Sequence, residues 1–470
     1  ISQLVLERCL LRGVPAAGVD MSEFARTADE LVAFEATLVA RCPSAEQPIR
    51  TAAGRVEALF VERRTARALT QARALAETAS FDVYDLAGHE ALTVDTVRAL
   101  AGDARLSPAL AGDTQLPPAL AESVSANTVV FPRCTISVSV RKLVELAYGL
   151  VNEAALAADN SGGGSGSGLA LATAARQAFD VYDVLFPVLH RAELKAPALA
   201  WQYFNDCMYA AHHAANLGAA VERMMPDGAG SGERGAWETS AHQLFDAGIA
   251  HIAEIERGAA RELSRVVAGG SYDGAAQGGR REALAALAER VRRAVAQLCR
   301  AAMPPAVAPH VFYSALGRHL DAVIAATVDA VIGVRDIDVD DSQVLSDHCR
   351  SIHALTDMFR LDARVLGHYQ GLARTALDGV GQVDPLLQAD GGAASGDGAC
   401  AGLATRYCAQ ASKLAQLADI LVISRADILA RRRAGLLAQF TVDELVGLVR
   451  ALFSDTRERG LDIDQLRNMP

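Results

Sequence analysis

Apolar side chains recur every three or four residues along most of the chain, and this spacing predicts amphipathic helices throughout. After Pro132, for example, Ile136, Val140, Leu143 and Ala147 share one helical face. The predicted helices cover residues 1–12, 20–41, a short segment after Pro48, 53–80, a segment from Pro132 to about 160, 170–190, 198–217, 238–267, 280–301, 311–334, a segment from Asp338 towards 360, 403–438 and 442–459. Only residues 123–137 alternate with the two-residue period of a strand, so the pattern predicts an all-α fold with no sheet.

Three stretches of unusual composition interrupt the helices. Residues 98–128 contain Pro108, Pro117 and Pro118 and predict a long loop. Residues 161–168 contain only glycine and serine and predict a flexible joint, and the glycine- and alanine-rich residues 390–402 predict a disordered connector. We therefore expect a first helical bundle with a long loop at 1–130, a middle bundle at 131–335 and a C-terminal bundle at 336–470.

The helix predicted at 198–217 has two unusual stripes. Phe204, Met208, Ala211 and Ala215 form an apolar stripe that we expect to be core, and Gly218 is the expected left-handed residue that ends the helix. The other stripe holds hydrogen-bonding side chains that would have to satisfy one another if buried. We predict that it forms a structural polar seam between helices, consisting of Asn205, Tyr209, His212 and Asn216. A metal or catalytic site is the alternative, which is disfavoured because adjacent histidines on a helix point ~100° apart.

Charge and cysteine content narrow the class of function. The chain of 470 residues has a net charge of −11, which argues against direct binding of nucleic acid, since phosphates require a basic surface. Its eight cysteines form no C-x-x-C pair, so we expect reduced, mostly buried thiols and a cytosolic protein. No uncharged apolar run approaches the ~20 residues of a membrane span, so membrane contact is expected only peripherally.

No motif of catalysis or cofactor binding emerges from the remaining polar residues. The glycine-rich joint lacks the Gly-Lys-Ser/Thr of a phosphate loop, and the Glu-x-x-His pairs of di-metal bundles are absent. The segment 336–341 imitates a calcium loop but has Asp341 where that loop needs glycine, so Asp338 is better explained as a helix cap. We predict no catalytic, cofactor-binding or metal-binding residues, and hence no enzyme.

The helix predicted at 442–459 begins with a strong start signal. Thr441 and Glu444 have the spacing of a capping box, and Phe440 and Leu445 that of a hydrophobic staple. Its outward stripe contains a glycine that lowers helix stability by roughly 1 kcal/mol relative to alanine, which suggests close approach by another backbone. We hypothesise that a partner helix docks on this stripe, and the alternative is a merely solvated face. The stripe comprises Asp443, Gly447, Arg450, Ser454 and Arg457.

Several segments resemble the zeste-white ten family of centromere/kinetochore proteins. The helix at 198–217 carries the family's run of Asn205, Cys207-Met208-Tyr209 and Ala211-His212-His213, which ends in Leu217-Gly218. Residues 132–148 are nearly a second signature, and the likeness extends over most of 1–153, 176–220 and 411–459. Family members are longer at the N-terminus, and this chain is expected to begin partway through.

The resemblance implies an elongated stack of helical bundles, of the helical-rod type found in tethering complexes, and a non-enzymatic role. The implied function is as a subunit of a tethering complex for Golgi-to-ER retrograde vesicles, together with other tether subunits and ER SNARE-associated proteins. A kinetochore role in dynein recruitment for the spindle checkpoint, through dynein–dynactin adaptors, is implied for dividing cells. Both roles place the protein in the cytoplasm, peripherally at the ER membrane or at kinetochores. The alternatives are a lipid-binding helical scaffold that uses the arginine-rich face of 280–301, and a bundle-type metalloenzyme.

Overall fold

A computed structural model describes residues 2–10, 21–41, 47–53, 56–78, 81–86, 134–160, 166–224, 230–303, 306–307, 309–359, 404 and 406–469. The expected loop at 98–128 and the expected connector at 390–402 lie outside these residues, as does most of the expected joint at 161–168. The described residues are overwhelmingly helical, so the predicted all-α class is confirmed. The chain divides into two compact units, Ile1–His251 and Ile252–Pro470. The finer division into three bundles stays a prediction.

The first unit is built from helices that pack side by side around one core. Its helices are α1 (Ser2–Val5, continued by a π-helical turn at Leu6–Leu10), α2 (Met21–Arg41), α3 (Pro48–Ala53), α4 (Val56–Glu77), α5 (Val138–Asn160), α6 (Gly166–Leu189) and α7 (Pro197–Met224). Helix α8 (Gly230–Ala268) begins in this unit. The most extensive contacts between helices are those of α6 with α4 and with α5. On α4, Ala68, Ala72 and Ala76 are fully buried one turn apart, and these methyl-sized side chains let neighbouring helices approach closely.

A long-range ion pair joins two of these helices. The Arg64 guanidinium on α4 donates to both carboxylate oxygens of Glu153 on α5, at 2.8–3.2 Å. The two side chains are only 11% and 15% exposed. The position of Arg64 beside Arg63 in the sequence suggests a solvated edge of the helix. Instead, the largely buried ion pair of Arg64 helps to hold α4 against α5.

The expectation of no sheet is wrong, because two short strands form an antiparallel pair. Strands β1 (Val83–Asp85) and β2 (Thr135–Ser137) pair with Tyr84 opposite Ile136. Strand β2 lies at the end of the one segment whose pattern alternates, and β-branched Thr135 and Ile136 favour this extended backbone. Helix α5 begins only at Val138, where the Ser137 hydroxyl accepts a hydrogen bond from the Val140 N–H at 3.1 Å.

The central helix α7 is longer than predicted, and its buried face is rotated about the helix axis relative to the predicted core stripe. It continues past Gly218 to Met224, so the expected helix end at this glycine is wrong. The glycine itself is explained by packing, since a Cβ on Gly218 would lie 2.5 Å from the Cβ of Trp237 on α8. Of the expected core stripe, Phe204 and Ala211 are buried, but Met208 is half-buried and Ala215 is exposed. The most buried apolar side chains lie about one residue round the helix, at Tyr203, Cys207, Ala210, Ala214, Leu217 and Val221.

In the described part of the second unit, the end of α8 is followed by seven further helices. These are α9 (Arg280–Arg300), α10 (Pro309–Ile332), α11 (Val339–His353, followed by a 3-10 turn at Ala354–Phe359), α12 (Ala411–Ile420), α13 (Arg425–Arg433), α14 (Val442–Leu452) and α15 (Arg457–Asn468). The apolar spacing of 280–301 predicts an inner face of Leu284, Leu287, Val291, Val295 and Leu298. The first four are buried in α9, but Leu298 is only half-buried. The Asp338 carboxylate caps α11 by accepting from the Asp341 N–H at 2.7 Å, which confirms that prediction.

Both of the last predicted helical segments divide in two. Residues 403–438 contain α12 and α13. Helix α13 ends at Arg433, and Gly435 follows with a φ of 74°, the left-handed conformation that glycine favours after a helix. The single helix predicted at 442–459 is wrong, because α14 ends at Leu452 and α15 starts at Arg457. Arg459 holds the corner between them by donating to the carbonyls of Arg450 and Phe453 at 3.2 and 2.7 Å.

Candidate functional site

The four residues of the predicted polar seam take two different positions on α7. Asn205 is buried, and its amide donates to the Thr135 carbonyl of β2 at 2.8 Å. Tyr209 is also buried, with its ring 4.2 Å from the ring of His213. His212 and Asn216 are half-buried and form a hydrogen bond of 3.2 Å with each other. The structure thus brings His212 and Asn216 together, and directs Asn205 to the strand instead.

Asp206 is a fully buried polar residue of this region that helical periodicity does not single out. Its carboxylate accepts from the Ser137 backbone N–H at 2.7 Å, at the point where β2 becomes α5. The Tyr182 hydroxyl of α6 lies 3.5 Å from the other carboxylate oxygen. Burial raises the pKa of Asp206 to about 7, although the hydrogen bonds from Ser137 and Tyr182 oppose this rise. No basic residue lies within one turn of Asp206 on α7, and this is the sequence signal that marks an acidic residue without a local ion-pair partner.

A second buried contact joins α7 to α5. The Tyr148 hydroxyl and Nδ1 of His213 are 3.1 Å apart, and the two rings meet edge to face at 5.6 Å. Burial and the neighbouring His212 lower the pKa of His213 well below its ordinary value, so this imidazole is neutral at physiological pH. The buried histidine is therefore His213, whereas the predicted seam residue His212 lies at the surface side of the helix.

These groups hold helices together and do not form a reaction centre. Burial raises the pKa of the Cys207 thiol well above its ordinary value, which keeps the sulfur protonated and unreactive. Burial also raises the pKa of Tyr182 and Tyr148, so both hydroxyls stay neutral. Among the residues that the structure describes, no group of three or more His, Cys, Asp or Glu side chains is placed to hold a metal ion. The arrangement fixes the position of α7 against β2, α5 and α6.

The predicted docking stripe near the C-terminus does not lie on one helix. Asp443, Gly447 and Arg450 share a face of α14, but Ser454 lies in the connection and Arg457 is the first residue of α15. Asp443, Arg450, Ser454 and Arg457 are exposed, and Gly447 is half-buried. No other side chain of the described residues lies within 4 Å of a Cβ placed on Gly447, so packing inside the chain does not require a glycine there.

The start of α14 is held in place by an extended capping box. The Thr441 hydroxyl accepts from the Glu444 N–H, and the Glu444 carboxylate accepts from the Thr441 N–H at 2.8 Å, which confirms the predicted box. Lys413 on α12 also donates to this carboxylate at 2.8 Å. Burial alone raises the pKa of Glu444, but the hydrogen bonds from Lys413 and Thr441 lower it overall. In contrast, within the described chain neither Arg450 nor Arg457 pairs with a carboxylate.

No helix among the described residues is long and apolar enough to cross a membrane. Helix α9 exposes the arginines at 280, 281, 290, 292, 293 and 300. Glu289 lies 3.7 Å from both Arg292 and Arg293, which partly neutralises that face.

The segment that contains Asp206 and its hydrogen-bond partners Ser137 and Tyr182 is similar to known proteins. Residues 129–237 match the family model described as "Centromere/kinetochore protein zw10, C-terminal". A centromere/kinetochore protein zw10 homolog of Rattus norvegicus is 26% identical over 243 residues, which is 49% of this chain and 29% of that protein. The homolog of Mus musculus is 35% identical over 97 residues, which is 20% of this chain and 12% of that protein.

The aligned segments therefore span less than a third of the curated relatives. The family model covers β2, α5, α6, most of α7 and the start of α8, which together carry Ser137, Tyr148, Tyr182, Asp206 and His213. The resemblance inferred from the sequence over most of 1–153, 176–220 and 411–459 overlaps much of this region. The match over residues 129–237 confirms the resemblance to the zeste-white ten family.

Proposed function

We propose that this chain is part of a non-enzymatic scaffold subunit of a multiprotein complex, which tethers Golgi-to-ER retrograde vesicles. Its partners are other tether subunits and ER SNARE-associated proteins, and its location is cytoplasmic and peripheral at the ER membrane. In dividing cells the same chain serves at kinetochores, with kinetochore subunits and dynein–dynactin adaptors. The family match over residues 129–237 carries the proposal.

The chemistry of the buried polar groups on α7 agrees with a scaffold. The buried polar side chains of α7 bind backbone groups and side chains of neighbouring helices, as Asn205 does with Thr135 and Asp206 with Ser137. Neutral thiols and hydroxyls of this kind position helices but do not attack a substrate. The relatives are named for the centromere and kinetochore, and the vesicle-tethering role rests on the family resemblance.

For the partner-binding surface we propose the exposed face of α14 and the start of α15. Arg450 and Arg457 supply two positive charges, and Gly447 allows a partner backbone to come close. Charges at the edge of an interface mainly alter the rate of association and its salt dependence. The expected partner surface is therefore a helix with acidic residues that face these two arginines.

Affinity purification of the full chain from its source cells tests the complex. We expect co-purification of tether subunits, of kinetochore subunits or of both, in amounts comparable with the bait. Recovery of the chain alone, at a concentration that retains known stable complexes, would contradict the proposal. Interphase and mitotic cells purified in parallel separate the two roles.

A lipid-binding scaffold is the second candidate, and the exposed arginines of α9 favour it. Arg290 and Arg300 on this helix have no carboxylate partner among the described residues. Flotation with vesicles of mixed neutral and anionic lipid tests this function. Binding that requires anionic lipid and is lost in Arg290→Glu would establish the second candidate, and absence of flotation would exclude it.

A further inference from the structure

The pair of strands β1 and β2 has two edges, and the hydrogen-bond register shows which backbone groups point out of each. The Leu86 N–H donates to the Cys134 carbonyl at 2.9 Å, so Leu86 faces β2. Along an antiparallel pair, residues alternate between facing the neighbouring strand and facing away from it. The backbone groups of Val83 and Asp85 therefore point away from β2. We define the β1 edge as the N–H and C=O groups of these two residues.

The opposite edge, on β2, is covered by α7. Its outward backbone groups belong to Thr135 and Ser137, and both have partners. The Thr135 carbonyl accepts from the Asn205 amide at 2.8 Å, and the Ser137 N–H donates to the Asp206 carboxylate at 2.7 Å. Side chains of α7 thus satisfy the groups that a further strand would otherwise bind.

The β1 edge is open in contrast. Val83 is 60% exposed, and Asp85 is exposed as well. Within the described chain, no hydrogen bond reaches the backbone N–H or C=O of either residue, and only β2 makes extensive contact with β1. Such an edge presents donors and acceptors at the spacing of an extended chain. A helix does not match this pattern, because its own backbone groups are bonded to one another.

The side chains beside the β1 edge narrow the class of segment that fits it. Val83 and Asp85 project on one side of the sheet, and Tyr84 projects on the other, where the Arg141 guanidinium lies 4.1 Å from the centre of its ring. The Asp85 carboxylate has no ion-pair partner among the described residues. Apolar pairs and opposite charges that face each other across neighbouring strands stabilise a sheet. The matching segment therefore has a β-branched residue opposite Val83 and lysine or arginine opposite Asp85.

We propose that the β1 edge binds an extended segment of a partner protein, which adds a third strand to the sheet. The backbone of this segment exchanges hydrogen bonds with Val83 and Asp85, and its basic side chain lies beside the Asp85 carboxylate. Addition of a strand to an open edge is a recurring mode of peptide recognition. The inference rests on the proposed scaffold function, and gives the scaffold a second partner-binding surface besides the face of α14 and α15.

Binding of alternately methylated peptides to the full chain tests the proposal. The probe is a fluorescein-labelled peptide of about eight residues, rich in threonine, with valine and lysine two positions apart. Two further peptides carry N-methyl groups on alternate backbone nitrogens, one at the odd and the other at the even positions. Only every second N–H of an added strand faces β1. We therefore expect fluorescence anisotropy to show a loss of affinity of at least about tenfold for one methylated peptide and little change for the other.

A matched pair of variants places the binding on the β1 edge. Val83→Pro removes an outward N–H, and proline is tolerated in an edge strand where that N–H faces solvent. Val83→Thr keeps both the N–H and the β-branched shape. We expect Val83→Pro to weaken binding of the unmethylated peptide at least about tenfold with an unchanged melting temperature, and Val83→Thr to have little effect. Equal loss of affinity for both methylated peptides, or an unaffected Val83→Pro, would overturn the proposal.

A charge exchange tests the residue expected opposite Asp85. A peptide with glutamate in place of lysine should bind more weakly than the lysine peptide, and Asp85→Lys should reverse this preference. A preference that stays the same in Asp85→Lys would overturn the assignment of a basic residue to this position.

Two further outcomes distinguish this inference from related ones. If sedimentation shows a dimer that Val83→Pro dissociates, the β1 edge pairs with a second copy of the chain and the partner proposal is wrong. If the lysine peptide binds as expected but purification from cells recovers no complex, the strand-binding edge stands and the proposed scaffold function falls. The peptide assay does not involve Arg450 or Arg457, so failure at α14 leaves its result unchanged.

Discussion

Replacement of Gly218 by alanine is predicted to destabilise the first unit, although alanine is the better helix former. Gly218 lies inside α7, where it contacts Trp237 of α8. The new methyl carbon would lie 2.5 Å from the Cβ of Trp237 and 3.1 Å from its Cγ. Unstrained carbon contacts are roughly 3.5–4.0 Å apart, so the two helices must separate by about 1 Å.

The size of the effect follows from two opposing contributions. Alanine in place of glycine inside a helix stabilises it by roughly 1 kcal/mol. Overpacking typically costs about 1–3 kcal/mol, and the upper part of that range applies where the neighbour cannot move. Trp237 is fully buried with its ring 6.1 Å from that of Phe179, so its freedom to shift is small. We therefore expect a net loss of about 2 kcal/mol in the free energy of unfolding.

Tryptophan fluorescence measures this loss in the first unit alone. The chain has two tryptophans, Trp201 and Trp237, and both lie before residue 252. With a urea slope of about 2–3 kcal/mol/M, a loss of about 2 kcal/mol lowers the midpoint by roughly 0.7–1 M. The lower midpoint should appear in the fluorescence transition. The unfolding transition of the second unit, followed by circular dichroism, should keep its midpoint.

Gly149 provides the matched control, because it also lies inside a helix of the first unit. No neighbouring atom lies within 4 Å of a Cβ placed there, so only the helix propensity changes. Gly149→Ala should raise the stability by roughly 1 kcal/mol and the midpoint by about 0.3–0.5 M. If Gly218→Ala stabilised the unit as much as Gly149→Ala, the close approach of α7 to Trp237 would be refuted.

Three further predictions concern charged groups. Asp206 has a folded-state pKa of about 7, above its unfolded value, so stability should fall by up to roughly 4 kcal/mol as the pH rises from about 4 to 7. Asp206→Asn should make the free energy of unfolding, measured by urea titration, depend less on pH. If the two proteins had parallel stability–pH profiles, the prediction would be contradicted. Arg64→Met leaves Glu153 partly buried without its partner and should lower the free energy of unfolding by about 2–3 kcal/mol. Adding Glu153→Gln to the same chain should restore part of this loss. An unchanged urea midpoint in Arg64→Met would show that the ion pair does not stabilise the fold. Arg450→Glu with Arg457→Glu should weaken capture of a partner subunit without changing the melting temperature. Unaltered capture would mean that the exposed face of α14 is merely solvated.

Much of the fold follows from local signals in the sequence. The all-α class and the buried face of α9 follow from helical spacing, and the starts of α11 and α14 from their capping residues. A cap is predictable because it depends on residues three positions apart. Thr441 and Glu444, for example, need no distant partner to form their box.

The features that the sequence did not reveal depend on distant partners. Arg64 and Glu153 are 89 positions apart, and only the packing of α4 on α5 brings them together. Asp206 is buried because the Ser137 N–H, 69 positions away, meets its carboxylate. Helical periodicity predicts the wrong buried face for α7, because alanines occur on both faces. Hydrophobicity alone therefore does not show which face of α7 packs against the core. The break after Leu452 was missed because Arg459 stabilises it from beyond the break.

Two glycines show how one local signal leads to opposite structures. Gly435 follows the end of α13 in the left-handed conformation, and the N–H of Leu436 bonds back to the Arg431 carbonyl at 3.0 Å. Gly218 has the same position after a helical pattern, but α7 continues to Met224, and Trp237 occupies the space that a side chain at 218 would need. A glycine followed by further helix formers is therefore better interpreted as a contact point for another helix. By the same argument, Gly248 marks a contact of α8 with α7, because a Cβ there would lie 2.8 Å from the Cβ of Cys207.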